Sequence, residues 1–204
     1  MLGTLDHAAG QDRLLRPYDI KATFFVLGDK LRDRRYLAER THAEGHSIGN
    51  HTYTHLVPFG LSVAPGRPSL EIARTQEAIG DLSHQRKLFR PFGGGNLDER
   101  LLNQEALDAL VTGEFTCVLW NTIPEDWARP DTWVERALQQ CFGQAEALIV
   151  LDDLPTGAMD HLDRFLNQAQ ERGASFRQSF PRSCVPIENG KIINPVDQYV
   201  SQAA

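Results

Sequence analysis

Two histidines four residues apart carry the chemistry that is easiest to read from this sequence. His51 and His55 lie in the segment 45–55, which holds three histidines. On one turn of helix, side chains at this spacing point the same way. Two imidazoles placed like that can bind one metal ion, with Zn–N bonds of about 2.0–2.1 Å. Thr52 and Thr54 are poor helix formers, so the composition favours a metal-binding turn after a strand. A pair of surface or capping histidines is the alternative.

The residues around this pair extend the pattern. The segment 21–28 reads Lys-Ala-Thr-Phe-Phe-Val-Leu-Gly, and a polar helix separates it from Gly45-His46 and from the segment 50–55. This arrangement resembles the polysaccharide deacetylase family (carbohydrate esterase family four), which includes chitin and peptidoglycan deacetylases. The resemblance implies that His51 and His55 bind a divalent metal, zinc in the first place, with cobalt and nickel as alternatives.

The start of the chain resembles the first motif of that family. Thr4-Leu5-Asp6-His7 stands where the family carries Thr-Phe-Asp-Asp, in which the first Asp is the catalytic base and the second is a metal ligand. The resemblance therefore implies Asp6 as the base and His7 as the third ligand. Three histidines with a water form a known catalytic zinc set. Ordinary residues at a frayed terminus are the alternative.

A glycine-rich turn follows a short strand at Arg90-Pro91-Phe92-Gly93. It resembles the family's Arg-Pro-Pro-Tyr-Gly motif, which lines the substrate groove. The resemblance implies that Phe92 lines this groove and that the N–H of Gly93 stabilises the oxyanion of the reaction. A plain glycine turn is the alternative.

The pair Asp126-Trp127 resembles the end of the family's Asp-x-x-Asp-Trp motif, although Ile123 replaces the first Asp. The resemblance implies a carboxylate–guanidinium–carboxylate relay of Asp126, Arg90 and Asp6, which would keep Asp6 ionised and fixed. It also implies that Trp127 stacks on a sugar face, with a core tryptophan as the alternative.

The apolar segment 147–151 ends at Asp152, where the family carries the histidine that is its catalytic acid. A carboxyl can be that acid only if burial or a like charge raises its pKa. The resemblance implies a metal-dependent hydrolase of a non-peptide C–N bond that removes N-acetyl groups from an acetylated amino sugar or polysaccharide. Because the family's second Asp and its acid histidine are replaced, two alternatives stay open. One is a carbohydrate-binding descendant with impaired catalysis, and the other is a hydrolase of a non-sugar amide.

Strand and helix patterns alternate along the chain and must position these residues. The predicted strands are residues 20–27, 115–121, 147–151 and 174–176. The predicted helices are residues 29–44, 69–82 (beginning at Ser69 with Glu71 nearby), 98–110, 131–142 (capped by Asp131) and 159–172. This alternation predicts an α/β fold, with the site at strand ends as in a β/α barrel. The resemblance implies the irregular (β/α) barrel of the deacetylases, with a shortened first unit. We expect residues 1–180 to form the catalytic domain and residues 181–204 to form an arm packed on it.

Composition limits the remaining classes of function. The chain has 204 residues and a formal net charge of -6, which argues against a basic nucleic-acid-binding surface. No apolar run is long enough to span a membrane. Three scattered cysteines give no disulfide framework, and Cys117 is predicted to be a buried thiol. Without a visible signal peptide we expect a cytoplasmic protein, although the short first strand leaves open that Met1 is internal to a longer natural chain. Nothing in the sequence indicates an oligomeric state.

Overall fold

The computed structural model describes residues 2–3 and 14–202. Asp6 and His7 therefore lie outside the described residues. The strands are β1 (Leu2–Gly3), β2 (Thr23–Val26), β3 (Ser47–Asn50), β4 (Leu88–Phe89), β5 (Thr116–Cys117), β6 (Asp152–Asp153), β7 (Ile187–Glu188) and β8 (Lys191–Ile192). The α-helices are α1 (Gly28–Ala43), α2 (Arg67–Ile79), α3 (Gln104–Thr112), α4 (Trp133–Phe142) and α5 (Leu162–Glu171). Short 3-10 helices lie at Arg16–Tyr18, Phe59–Leu61, Gly80–Leu82, Ala158–His161, Arg182–Cys184 and Asp197–Tyr199.

The strands form one sheet in the order β6-β1-β2-β3-β4-β5-β7-β8. Neighbours from β6 to β5 are parallel, and β7 and β8 are added antiparallel. Beyond β5, Thr122 forms a parallel bridge with Ile149, just ahead of β6. The N–H of Val150 donates to the carbonyl of Thr122 at 3.1 Å. The sheet therefore closes on itself, which confirms the predicted irregular (β/α) barrel.

Alternation along β2 shows how the barrel is filled. Phe24 and Val26 pack in a cluster with apolar residues of α1, so they face the helical layer. Phe25 lies between them and packs with Leu88 and Val118, which come from or directly follow two other strands. Successive strand residues point to opposite faces, so Phe25 fills the barrel interior. Burying one such phenylalanine contributes about 1.5–3 kcal/mol.

All five α-helices begin at positions that differ from the predicted starts, by one to six residues. The helix predicted from Ser69 begins at Arg67, with Pro68 in its first turn, where proline's missing N–H costs nothing. The helix predicted from residue 98 begins only at Gln104, because the Asn103 side chain accepts the Ala106 N–H and caps it. The predicted Asp131 cap is wrong, since α4 begins after Thr132.

The C-terminal region contributes to the sheet and the core. The predicted strand at 174–176 is wrong, because these residues have no ladder partner. Instead β7 pairs with β5 through Ile187 and Cys117, and Cys117 is a buried free thiol as predicted. Ile187, Val196 and Val200 belong to the same core cluster as Phe89. The division of the chain at residue 180 stays a prediction.

Among the described helices, none combines the length and the apolar composition needed to cross a bilayer.

Candidate active site

The two histidines stand on a tight turn at the carboxyl end of β3. Thr52 has a φ of 71° and His55 a φ of 55°, so the segment is a turn after a strand, as its composition predicted, and not a helix. The Asn50 side chain accepts the N–H of Thr52 at 3.1 Å and donates to the carbonyl of Ile72 on α2 at 2.9 Å. These bonds place His51 and His55 at the end of the barrel where parallel α/β proteins build their sites.

The imidazoles of His51 and His55 lie side by side, with ring centroids 4.6 Å apart. Nδ1 of His51 is 2.7 Å from the carbonyl oxygen of Arg90. Because a carbonyl can only accept, Nδ1 of His51 carries the proton and donates it. The lone pair on Nε2 of His51 is therefore available to a metal. Nε2 of each ring is buried and has no hydrogen-bond partner within residues 2–3 and 14–202. Burying a polar atom without a partner costs about 1–3 kcal/mol, so both atoms call for a ligand.

The charge state of the pair also suits a metal. Burial, followed by the neighbouring His55, lowers the pKa of His51 well below its usual value. Burial likewise lowers the pKa of His55 to about 4. Neutral imidazole is the form that binds metal, and a ligand histidine commonly donates its other N–H to a carbonyl, as His51 does. The two residues therefore fit a divalent metal. Within the described residues no group of three His, Cys, Asp or Glu comes together, and the predicted third ligand, His7, lies outside them.

Arg90 lies inside the barrel, 1% exposed. Its guanidinium is 4.1 Å from the centroid of the Phe25 ring and donates to the carbonyls of Val118 at 3.2 Å and Leu119 at 3.4 Å. Burial lowers its pKa to about 9, which leaves it charged at neutral pH. The predicted ion pair between Arg90 and Asp126 is wrong, because the guanidinium is engaged by carbonyl oxygens instead. Its Nη1 has no partner in the described part of the chain, and the half of the relay that involves Asp6 lies outside that part.

Asp126 accepts a hydrogen bond from the backbone of Asp152, the predicted catalytic acid. It is fully buried, and its Oδ2 accepts the N–H of Asp152 at 2.9 Å. Burial raises the pKa of Asp126 to about 6. Burial, followed by the charge of Asp126, raises the pKa of Asp152 to about 7. A buried carboxyl near a like charge ionises less readily, so Asp152 has the raised pKa that an acid at this position requires.

One groove contains most of the predicted site. Its lining includes His51, His55, Phe92, Gly93, Trp127 and Asp152. The Phe92 ring lies on the His55 imidazole, with centroids 3.7 Å apart and an angle of 32° between the planes. The N–H of Gly93 has no acceptor within the described residues, so it can serve an oxyanion. A Cβ at Gly93 would lie 2.2 Å from Leu101 Cδ2 and 3.0 Å from the carbonyl oxygen of Asn96, so any larger residue would force the buried Leu101 side chain to move.

Two contributors were not predicted from the sequence. Trp120 closes the groove, and its Nε1–H donates to the Gly95 carbonyl at 3.2 Å. Glu71 bonds the turn that carries the histidines. The sequence pattern treats Glu71 as a helix-start residue, yet it lies between Pro68, Ile72 and Thr75 on the buried face of α2. A carboxylate among buried positions was the available signal. The N–H groups at the start of α2 bond Glu105 instead.

Comparison with known proteins identifies the family. The family model for polysaccharide deacetylases matches residues 9–111, half of the chain. The chain therefore belongs to the polysaccharide deacetylase family, as the motifs predicted.

Individual relatives agree with this assignment. A peptidoglycan-N-acetylglucosamine deacetylase of Bacillus cereus is 31% identical over 169 residues, which cover 79% of this chain and 58% of that protein. The chain thus spans less than two thirds of this relative. A family 4 carbohydrate esterase from Streptomyces lividans, solved with acetate, superimposes with a TM-score of 0.71 at 21% identity, over 93% of this chain and 92% of that one. A CE4 family pseudoenzyme from Bacillus anthracis gives a TM-score of 0.72 at 18% identity, over 86% of this chain and 60% of that one. At these identities the two structures support the fold alone.

Proposed function

We propose that the protein is a metal-dependent hydrolase of non-peptide C–N bonds that removes N-acetyl groups from an acetylated amino sugar or polysaccharide. The observation that carries this proposal is the pair of buried imidazoles, whose Nε2 atoms lack partners in the described residues and which line a groove shared with Asp152. The B. cereus relative is named for the same reaction class.

His51 and His55 would hold the metal, which we propose to be zinc, and His7 would be the third ligand. When bound, a divalent metal supplies Lewis acidity toward the amide carbonyl and toward water. The hydrogen bond from His51 to the carbonyl of Arg90 fixes the ring orientation and the tautomer. Arg90 therefore orients the ligand His51 through its backbone carbonyl, and its buried side chain holds that backbone in place.

Asp152 would protonate the leaving amine. It lines the groove beside the histidines, its Oδ1 is buried without a partner in the described chain, and its pKa of about 7 keeps much of it protonated near neutral pH. A general acid works best when its pKa lies near the working pH. The N–H of Gly93 would stabilise the oxyanion of the tetrahedral state, and Asp6 would take the proton of the attacking water.

The aromatic walls of the groove suit the flat face of a sugar ring. Trp127 is half-buried and lies beside Gly95, whose missing side chain leaves its ring uncovered on that side. Phe92 also lines the groove, with its ring packed on the His55 imidazole. Aromatic rings bind apolar faces without needing a hydrogen-bond partner, so we propose an acetylated carbohydrate as the substrate and the stacking role for Trp127.

The test compares the wild type with His51→Ala/His55→Ala. We expect about one zinc per chain in the wild type, none in the double variant, and acetate release from acetylated chitooligosaccharides only in the wild type. His42→Ala, at an exposed position on α1, is the matched control and should keep both properties.

Three other outcomes would redirect the proposal. Zinc and sugar binding without acetate release would favour the carbohydrate-binding descendant. Release of acetate from small amides but not from sugars would favour the non-sugar hydrolase. Equal metal content in the wild type and the double variant would refute the site.

A further inference from the structure

Glu71 lies outside the groove, yet it contacts two of the three residues between the histidines. It is 8% exposed on α2. Its Oε2 accepts the backbone N–H groups of Tyr53 and Thr54, both at 2.8 Å, and its Oε1 accepts the hydroxyl of Thr54 at 2.6 Å. Arg67 is a weaker neighbour, with its Nε 3.9 Å from Oε1. One buried carboxylate thus satisfies every donor that Thr54 offers.

The opposite side of the turn is held by the start of α1. The N–H of Gly28 donates to the carbonyl of Thr52, and the N–H of Asp29 donates to the carbonyl of Tyr53, both at 3.1 Å. The turn is therefore clamped between two helices, with its carbonyls bonded by α1 and its N–H groups bonded by Glu71. Hydrogen bonds to a carboxylate are roughly twice as strong as neutral ones, so Glu71 provides the stronger half of the clamp.

The turn needs such support because its backbone is unfavourable. Thr52 and His55 both have positive φ, which costs a residue with a side chain about 1–2 kcal/mol. The Thr52 hydroxyl accepts the N–H of His55 at 3.2 Å, a neutral bond that offsets only part of this cost. If a neutral amide replaced the carboxylate, the N–H groups of Tyr53 and Thr54 would keep only a weaker, uncharged acceptor, and the hydroxyl of Thr54 would lose the oxygen that accepts its proton. The turn would then relax, and the two imidazoles would separate.

We propose that Glu71 is a positioning residue for the metal site: its carboxylate holds the turn at 52–54 so that Nε2 of His51 and Nε2 of His55 face one point. The inference rests on the proposed function, since it concerns the affinity of the same two histidines. Glu71 is not among the residues that line the groove, so it is not itself a ligand, and its hydrogen bonds act on the histidines through the turn.

Glu105 provides a matched control within the same chain. Its carboxylate accepts the N–H groups of Gly66 at 2.9 Å and Ser69 at 3.1 Å, and the hydroxyl of Ser69. Both glutamates therefore accept two backbone N–H groups and one hydroxyl. Glu71 belongs to α2, and Glu105 bonds the start of the same helix. Only Glu71 reaches the histidine turn. Glu71→Gln and Glu105→Gln should lower the thermal midpoint to a similar degree.

The measurement is zinc affinity by competition with a fluorescent chelator. We expect Glu71→Gln to weaken zinc binding by about 10- to 100-fold, the range typical of residues that orient metal ligands, and Glu105→Gln to leave it unchanged. In the metal-free protein, hydrogen exchange at the amides of Tyr53 and Thr54 should accelerate in Glu71→Gln only. If Glu71→Gln does not fold, Thr54→Val removes a single bond to the same carboxylate and should weaken zinc binding by a smaller factor.

The outcomes separate this inference from the proposed function. Zinc binding that is lost in His51→Ala/His55→Ala but unchanged in Glu71→Gln would overturn the role of Glu71 and leave the metal site standing. Equal weakening in Glu71→Gln and Glu105→Gln, or unchanged affinity in Thr54→Val when the Glu71 variant is unfolded, would also overturn it. A wild type that binds no zinc would refute both proposals.

Discussion

Asp152→Asn is expected to stabilise the metal-free protein at alkaline pH far more than at acidic pH. The carboxyl of Asp152 lies beside the fully buried Asp126, which accepts its backbone N–H at 2.9 Å. Burial and the charge of Asp126 together raise the pKa of Asp152 to about 7, from the ordinary 3.8 of an exposed aspartate. Between these two pKa values the folded state binds more protons than the unfolded state. Stability is therefore fully present below the lower value and is lost as the pH rises through the higher one.

The size of the effect follows from these two values. The rise of the pKa from 3.8 to about 7 corresponds to about 4 kcal/mol of stability over the whole window, and about 3 kcal/mol of this falls between pH 5 and pH 8. Asparagine keeps the shape of the side chain and cannot ionise, so the contribution disappears in the variant. The unfolding free energy of Asp152→Asn minus that of the wild type should rise by about 3 kcal/mol across this range.

Urea unfolding followed by circular dichroism, in a chelator and at four pH values from 5 to 8, measures this difference. Asp160→Asn changes an exposed carboxyl in the 3-10 helix at Ala158–His161, which follows β6, and is the control for the loss of one carboxyl. The reasoning is refuted if the curves of Asp152→Asn and the wild type run parallel, because Asp152 would then ionise alike in the folded and unfolded states. It could then not supply the proton in the proposed reaction.

Two further variants, with Trp133→Phe as a control, test packing around the turn and the groove. Gly28→Ala would place a Cβ 2.4 Å from the Tyr53 ring, and the overpacking should lower the unfolding free energy by about 1–3 kcal/mol; unchanged stability in urea would contradict this contact. Trp120→Phe removes the N–H donated to Gly95 and should cost about 1 kcal/mol and raise KM for the acetylated sugar. Trp133 is not a groove residue, and its Nε1–H donates to the carbonyl of Ala158 at 2.8 Å. Trp133→Phe removes this bond and should lower stability without changing KM. Equal KM in both tryptophan variants would show that the loop at Gly95 does not shape the groove.

Much of the fold could be predicted because it depends on local patterns. The alternating apolar runs located β2 and all five α-helices, with errors at their ends. Those errors have tertiary causes. The start of α2 is set by Pro68 and by bonds from Glu105, which lies 36 residues away from Ser69 in the chain. Residues 174–176 read as a strand, yet the open edge beside β5 is filled by β7 instead.

The sequence by itself determined the family, the barrel and the histidine pair, because the spacing of His51 and His55 and the order of the motifs are properties of neighbouring residues. The tertiary structure alone decided which charged groups meet. Arg90 bonds backbone carbonyls and not Asp126, Asp126 bonds the N–H of Asp152, and Glu71 bonds the histidine turn and not its own helix start. These contacts join residues 17 to 29 positions apart in the chain. Their geometry depends on how helices and strands pack around the barrel, and no local pattern records it.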